Sequence, residues 1–181
     1  MSLILETKRL TLRPFDQGDM QAVITISTNP CVSRYMQDMI YPTEQEASVW
    51  ISMLARLYDP AAPFIVLAIV PKGNLEPVGY IGLHPKEELD NAVEILYAVA
   101  NDMQNQGYAT EAAVALIHWC FETTDTPFIS AIVKPDNIPS ARVVQKLGFE
   151  QHGEATIPYN GKETLFHYYR LTSPTRQKYA T

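Results

Sequence analysis

Apolar residues recur along this chain in two rhythms, and each rhythm predicts an element. Arg9-Leu10-Thr11-Leu12-Arg13 alternates and reads as a strand ended by Pro14. Asp16 is placed to cap a helix with Asp19 in its first turn; Met20, Val23, Ile24 and Ser27 keep helical spacing until Asn29-Pro30 closes it. Thr43 and Glu46 form a capping box ahead of Ala47, Trp50, Ile51, Leu54 and Tyr58, which recur at three and four. Phe64 to Val70 is a continuous apolar run, hence a buried strand, and Pro71-Lys72-Gly73-Asn74 turns it into a second strand, Val78 to His84. After the polar stretch Pro85 to Asn91 comes the strand Ala92 to Val99. A helix from about Ala109 to Phe121 places Ala109, Ala112, Ala113, Leu116, Ile117 and Cys120 on one face. Phe128 to Val133 is again a strand. Pro139 suits the first turn of a helix that runs to Leu147 and stops at Gly148. A strand follows from Phe149, Asn160-Gly161 signals a hairpin, and Thr164 to Leu171 is the last strand before a polar tail from Ser173.

The order is β α α β β β α β α β β. Three meandering strands ahead of one βαβ crossover predict an α/β (mixed α+β) fold with a mostly antiparallel sheet of about seven strands and helices on both faces. Length suits one domain over 1–181, with 173–181 as a fraying tail. The composition, 46% hydrophobic and 19% charged, is that of an ordinary globular protein, and no apolar run approaches the ~20 residues of a membrane helix. Met1 to Glu6 has no signal-peptide pattern. Cys31 and Cys120, far apart and in no CxxC, read as buried thiols of a cytoplasmic protein. A net charge of −6 without a basic stripe argues against nucleic acid as partner and is compatible with an amine-bearing substrate.

The most informative segment is Gln104-Asn105-Gln106-Gly107-Tyr108-Ala109-Thr110, between the strand ending at Val99 and the helix after it. The first N–H groups of a helix lack partners within it and its dipole favours negative charge there. Gly107 lets the backbone turn sharply, and small Ala109 keeps the approach clear. The segment therefore reads as a pyrophosphate cradle made by the N–H groups from Asn105 to Thr110, although a glycine before a helix is by itself common. No Gly-Lys-Ser/Thr follows, so this is no Walker site for ATP.

Three segments together resemble the GCN5-related N-acetyltransferase (GNAT) superfamily, and more narrowly its RimJ/RimL-like branch of ribosomal-protein N-terminal acetyltransferases. They are Glu6 to Pro14, Gln104 to Ala112, and Asn137-Ile138-Pro139-Ser140-Ala141-Arg142-Val143-Val144-Gln145-Lys146-Leu147-Gly148-Phe149. The resemblance implies an acetyl-CoA-dependent transfer of an acetyl group to a primary amine, by direct attack in a ternary complex and with no metal. It implies that Gln104 to Thr110 hold the pyrophosphate. Tyr97, Ala98 and Val99 would offer free backbone groups to the pantetheine where their strand leaves its neighbour, and Asn137 would bond the pantetheine arm or its surroundings. Such a reaction needs positioning, a neutral amine, a stabilised tetrahedral intermediate and a proton for the thiolate. Free amines have a pKa of about 8 (α-amino) to about 10.4 (Lys), so a base is useful.

Glu94 is the candidate base. It stands in an otherwise apolar strand, where an unpaired carboxylate is expensive and where burial would raise its pKa. The alternative leaves Glu94 facing solvent or paired with an arginine. For the acid, the tyrosine that many relatives carry is Val144 here, while Ser140 matches a serine proposed in the RimL-like branch to serve the thiolate. Ser140 reads equally as capping its own helix, and Asn137 as a turn residue beside it. Leu96, Ala98 and Gln104 replace residues usual in the branch, on the acceptor side of the cleft or beside it. His84 ends a strand near that cleft, His118-Trp119 reads as packing, and Tyr35, Met36 and Trp50 fall where such folds build the acceptor wall, with core packing the plainer reading of Trp50. The four histidines have no metal spacing. The competing reading is a non-catalytic acyl-CoA-binding sensor or interaction module of the same fold. The acceptor is expected to be an amine-bearing small molecule or a protein N-terminus, and a homodimer is plausible by analogy.

Overall fold

The computed structural model describes residues 3–57, 59 and 63–174. Tyr58, placed above at the end of the second helical pattern, and 175–181 of the tail lie outside the described residues.

One eight-stranded sheet has the order β1-β2-β3-β4-β5-β6-β8-β7. Its strands are β1 (Leu5–Glu6), β2 (Leu10–Arg13), β3 (Ile65–Pro71), β4 (Gly79–Lys86), β5 (Ala92–Val99), β6 (Phe128–Val133), β7 (Glu150–Tyr159) and β8 (Lys162–Thr172). The helices are α1 (Met20–Thr28), α2 (Pro30–Ser33), α3 (Glu44–Leu57), α4 (Tyr108–Thr123) and α5 (Ile138–Lys146). All strand pairs are antiparallel except β5 with β6, which α4 joins as a crossover. Two elements go beyond the sequence reading. The eighth strand is the two-residue β1, too short to show a period. Asn29-Pro30 closes α1 but also opens α2: the Asn29 side chain accepts from the Cys31 N–H, and Pro30 occupies the first turn.

Strand alternation divides the interior into two cores. On one face Leu10, Leu12, Ile65, Leu67, Ile69, Ile81, Leu83, Ile95 and Val99 pack against Ala112, Ala113, Leu116, Ile117 and Cys120 of α4 and Val144 of α5. On the other, Val66, Ala68, Val70, Tyr80 and Ala98 meet Val23 and Ile26 of α1 and Trp50 and Ile51 of α3. β3 is buried along its whole length because both faces are covered, which explains its unbroken apolar run. Trp50 sits between Phe15, Tyr41 and Tyr80, with ring centroids 5.2, 4.9 and 5.9 Å away. Its indole is a core anchor whose removal would cost on the order of 3–5 kcal/mol. The expected capping box opens α3: the Glu46 carboxylate accepts from the Thr43 N–H at 3.1 Å, and Thr43 Oγ1 accepts from the Glu46 N–H at 3.2 Å.

Two side chains expected inside are outside. Cys31 is exposed while Cys120 is buried, because α2 is a single turn lying on the surface. His118 is exposed because it falls between the core positions Ile117 and Cys120 of α4, on the outward face. Among the described residues no helix is long and apolar enough to cross a membrane.

Candidate active site

The sheet is open beside β5. β4 pairs with β5 over its whole length, from Gly79↔Val99 to Lys86↔Ala92, but the ladder between β5 and β6 consists of the single pair Glu94↔Ser130. Ser130 Oγ donates to the Val93 carbonyl at 3.0 Å at that junction. From Ile95 to Val99 the edge of β5 that faces β6 has no ladder partner, so backbone polar groups of this stretch are left for another acceptor or donor. Tyr97, Ala98 and Val99 lie along this opening.

The loop beyond it leads into the 16-residue α4. Asn105 (φ 60°) and Gly107 (φ 79°) adopt left-handed backbone, which turns the chain into the helix. Gly107 is the N-cap residue and no side chain caps the helix. The first-turn N–H groups of Tyr108, Ala109 and Thr110 are therefore available to an anion, the condition a pyrophosphate cradle requires. Gln104 ties the loop back to the strand, its Nε2 donating to the Val99 carbonyl at 2.9 Å. Gln106 Nε2 reaches the Asp102 carbonyl at 3.4 Å.

A clamp from the other end of the chain holds this loop. Arg9 Nε donates to Glu111 Oε2 at 2.6 Å, the Arg9 N–H donates to Glu111 Oε1 at 2.8 Å, and Arg9 Nη1 donates to the Gln106 carbonyl at 2.8 Å. Thr7 Oγ1 adds a 2.7 Å bond to Glu111, and the Arg9 guanidinium lies over the Tyr108 ring at 5.0 Å. Burial pushes the Glu111 carboxyl up, but the bonds from Thr7 and Arg9 outweigh it and hold the group below its usual range. Arg9 thus neutralises the one acidic side chain in the first turn of α4 and fixes the carbonyl just before Gly107. Arg9 and Glu111 both lie in segments singled out in the sequence, but nothing local indicated that they meet.

Glu94 and Ser140 fall on opposite faces of the sheet. Glu94, buried, shares its face with Leu96 and Ala98 on the α1–α3 side. Directly across the ladder is His84, whose Nε2 is 3.3 Å from Glu94 Oε2, and Lys86 Nζ is 4.0 Å from the same oxygen. The carboxylate is therefore buried and paired, with cationic partners from β4 rather than an arginine. Burial works against the charged form of His84, but the Glu94 carboxylate and the Pro85 carbonyl, 3.0 Å from Nδ1, prevail and raise its pKa. Both ring nitrogens face acceptors, as suits an imidazolium.

On the α4–α5 side, the Tyr97 hydroxyl crosses the opening to Ser140, 2.9 Å from Oγ and 3.1 Å from its carbonyl oxygen. Burial pushes the Tyr97 phenol up to about 12, the Ser140 bond only partly opposing it. Asn137 caps α5, its Oδ1 accepting from the Ser140 N–H at 3.3 Å, which leaves the Ser140 hydroxyl for Tyr97. Val144, standing where many relatives have a tyrosine, is fully buried in the core.

A strap borders the α1–α3 side. Tyr159, at the end of β7, accepts from the Gln37 N–H at 2.8 Å and lies 2.9 Å from both the Tyr35 carbonyl and Asp38 Oδ1. Arg34 pairs with Asp136 at 2.7 Å, Tyr35 donates to the Asp136 carbonyl at 3.2 Å, and Met36 Sδ accepts from Tyr80 at 3.4 Å. The segment after α2 is thereby fastened to both β4 and the β7 hairpin. Among the described residues no group of three or more His, Cys, Asp or Glu side chains is placed to hold a metal ion.

Comparison with known proteins agrees with this geometry. Residues 9–150 match the family model described as an acetyltransferase (GNAT) domain. The chain is 31% identical over 170 residues to the uncharacterized N-acetyltransferase YnaD of Bacillus subtilis, covering 91% of this chain and 94% of that protein. A crystal structure of a GNAT-family acetyltransferase from Bacillus anthracis superposes with a TM-score of 0.80 at 25% identity, over 94% of this chain and 99% of the other. Mycobacterium smegmatis RimJ in complex with CoA-disulfide shares the fold, with a TM-score of 0.75 at 20% identity over 96% and 88% of the two chains.

Proposed function

The chain belongs to the acetyltransferase (GNAT) family, and we propose that it works as the RimJ/RimL-like branch it resembles would, moving an acetyl group from acetyl-CoA to a primary amine by direct attack. The observation that carries this reading is the pairing of an opened β5–β6 edge with a helix start that no side chain caps. The residues present fit the co-substrate. The N–H groups of Asn105 to Thr110 would receive the pyrophosphate, and β5 from Tyr97 to Val99 would line the pantetheine. Bound there, acetyl-CoA would supply an activated acyl group for transfer. The chain's own residues bind, orient and manage protons: Glu94 takes the amine proton from the α1–α3 side, and the Tyr97–Ser140 hydroxyls face the thiol from the other.

Entry of the amine from the α1–α3 side makes His84, Leu96, Ala98 and the strap from Arg34 to Asp38 the acceptor wall. The acceptor class we favour is an amine-bearing small molecule or a protein N-terminus, the latter in keeping with the 28% identity over 95 residues to a relative named as a putative ribosomal N-acetyltransferase, YdaF of Bacillus subtilis. The free, exposed Cys31 suits a reducing compartment, which supports the cytoplasm as the place of action. The test is release of free thiol from acetyl-CoA in the presence of a panel of amines and N-terminal peptides. Acceptor-dependent release that falls at least tenfold in Glu94→Gln supports the reading. Release with no acceptor dependence across the panel contradicts it.

A further inference from the structure

The end of β6 brings a cation to the acceptor face. Ile129, Ala131 and Val133 belong to the α4–α5 core, so by alternation Ser130, Ile132 and then Lys134, one residue past the strand, belong to the α1–α3 side. Counted on from the single pair Glu94↔Ser130 along two parallel strands, Lys134 is level with Ala98 and lies across the opening from it. Two contacts fix it there. Its carbonyl accepts from the Asn137 N–H at 2.8 Å, in the turn that leads to α5, and its ammonium lies over the Tyr159 ring, 4.5 Å from the centroid. That ring is held in turn by its hydroxyl, which accepts from the Gln37 N–H of the strap. Lys134 differs from the other charges on this rim. Arg34 is paired with Asp136, and Asp38 lies 2.9 Å from the Tyr159 hydroxyl. Lys134 is half-buried, yet among the described residues no carboxylate pairs with its ammonium and no oxygen accepts from it. An aromatic face attracts an ammonium while leaving N–H donors for another partner.

Resting on the acetyltransferase reading above, we propose that Lys134 is a specificity-determining residue that binds an anionic group of the acceptor, so that the preferred acceptor is an amine that also carries a carboxylate. The spacing follows from the strands. The reacting amine meets Glu94, and the level of Lys134 is four residues further on, about 13 Å at ~3.3 Å per residue. The amine and the carboxylate should therefore stand roughly 10–13 Å apart. A free α-amino acid, with one carbon between the two groups, is too short. An extended peptide with an acidic side chain at its fourth residue fits, since three residues of rise already cover about 10 Å. The chain as a whole carries a net charge of −6, so its long-range field does not draw an anion in, and recognition rests on this one local contact. The contact should therefore act on KM for the acceptor and leave the chemical step unchanged.

The test measures acetyl transfer at saturating acetyl-CoA to the peptide amide Ala-Ala-Ala-Glu-Ala and to its Gln and Lys counterparts, by wild type, Lys134→Gln and Lys134→Glu. A second arm compares 8-aminooctanoate with octylamine, which separates a small acceptor of similar span from a peptide. Wild type should favour the carboxylate-bearing member in at least one arm by about five- to tenfold in kcat/KM. Lys134→Gln should erase that preference through KM, with kcat and the affinity for CoA unchanged. Lys134→Glu should reverse it in favour of the Lys peptide. A merely structural role would lower transfer to all acceptors alike and move no preference. Equal use of charged and neutral members by wild type, or a preference that survives in Lys134→Glu, overturns the proposal. So does a loss of CoA affinity in Lys134→Gln with acceptor preference unchanged, and so does wild type that binds CoA but acetylates no member of either arm. Absence of CoA binding by wild type would instead overturn the acetyltransferase reading itself. Lys134→Gln, which removes the charge with little change in size, keeps the test decisive if Lys134→Glu folds poorly.

Discussion

Replacing Arg9 with methionine keeps the apolar stem and removes the guanidinium that joins the start of the chain to the Gly107 loop. Two side-chain bonds are lost, to Glu111 Oε2 at 2.6 Å and to the Gln106 carbonyl at 2.8 Å. The Arg9 side chain is 45% exposed and Glu111 19%, so the ion pair is well screened and should contribute nearer ~0.5–1 kcal/mol than the value of a buried pair. The bond to the Gln106 carbonyl adds about 0.5–1 kcal/mol. Together the clamp should account for about 1–2 kcal/mol, and the Glu111 charge, no longer neutralised, then stands in the turn where an anion is to bind. Arg9→Met should lower urea stability by that amount and weaken CoA binding about 5- to 30-fold, read by calorimetry. A double-mutant cycle with Glu111→Gln isolates the pair, and a coupling of about 0.5–1 kcal/mol in CoA binding is expected. Arg9→Met that loses stability but binds CoA as wild type does would refute the claim that the clamp shapes the cradle.

Glu94→Gln should lower the pKa of His84 in a proton NMR titration. Because that pKa is raised in the fold, the pair's stabilisation is complete below the unfolded value of ~6.5 and is lost as pH rises through the folded one. Wild type should therefore lose more stability than Glu94→Gln on going from weakly acidic to mildly alkaline pH, and parallel profiles would count against the pair. Gly82→Ala should destabilise by about 2–4 kcal/mol in chemical denaturation, since the added Cβ would lie 2.6 Å from the Ile65 carbonyl oxygen and 2.8 Å from Val66 Cγ2. A loss under ~1 kcal/mol would mean that the β3–β4 spacing yields more readily than a packed sheet should. Tyr159→Phe keeps the ring against Phe166 but removes the hydroxyl that gathers Gln37, Asp38 and Tyr35, so amide exchange at 35–39 should accelerate several-fold, with unchanged exchange arguing against a strap.

Elements with a clear period were legible from the chain itself. The bounds of Ala92–Val99 and Phe128–Val133 follow from their apolar runs and the turns beside them, and Gly107 ahead of an amphipathic helix marks the left-handed turn into α4. Glu94 stood out as a lone carboxylate in an apolar strand, but the sequence left open whether it is buried or faces solvent, and the structure buries it. Its partners were not legible. A period assigns a residue to a face, whereas His84 meets Glu94 only through the register of the β4–β5 hairpin. Arg9 meets Glu111 across 102 residues and Tyr97 meets Ser140 across 43, and local pattern carries no record of such separations. The same limit hid β1, whose two residues pair with β2 but show no alternation of their own. Cys31 and His118 were misplaced because residue type was weighed over position: a thiol on a one-turn helix and a histidine between two core positions both face outward.

The central claim is that the uncapped start of α4 beside the open edge of β5 is an acetyl-CoA site. Calorimetric titration of wild type and Gly107→Trp with acetyl-CoA, and with ATP as control, tests it most directly. Gly107 has φ 79° and a Cβ there would lie 3.4 Å from Arg9 Nη2, so tryptophan both strains the backbone and fills the approach. Micromolar binding of acetyl-CoA, lost in the variant and absent for ATP, is the predicted result. No binding by wild type, or equal binding by wild type and variant, would contradict the account.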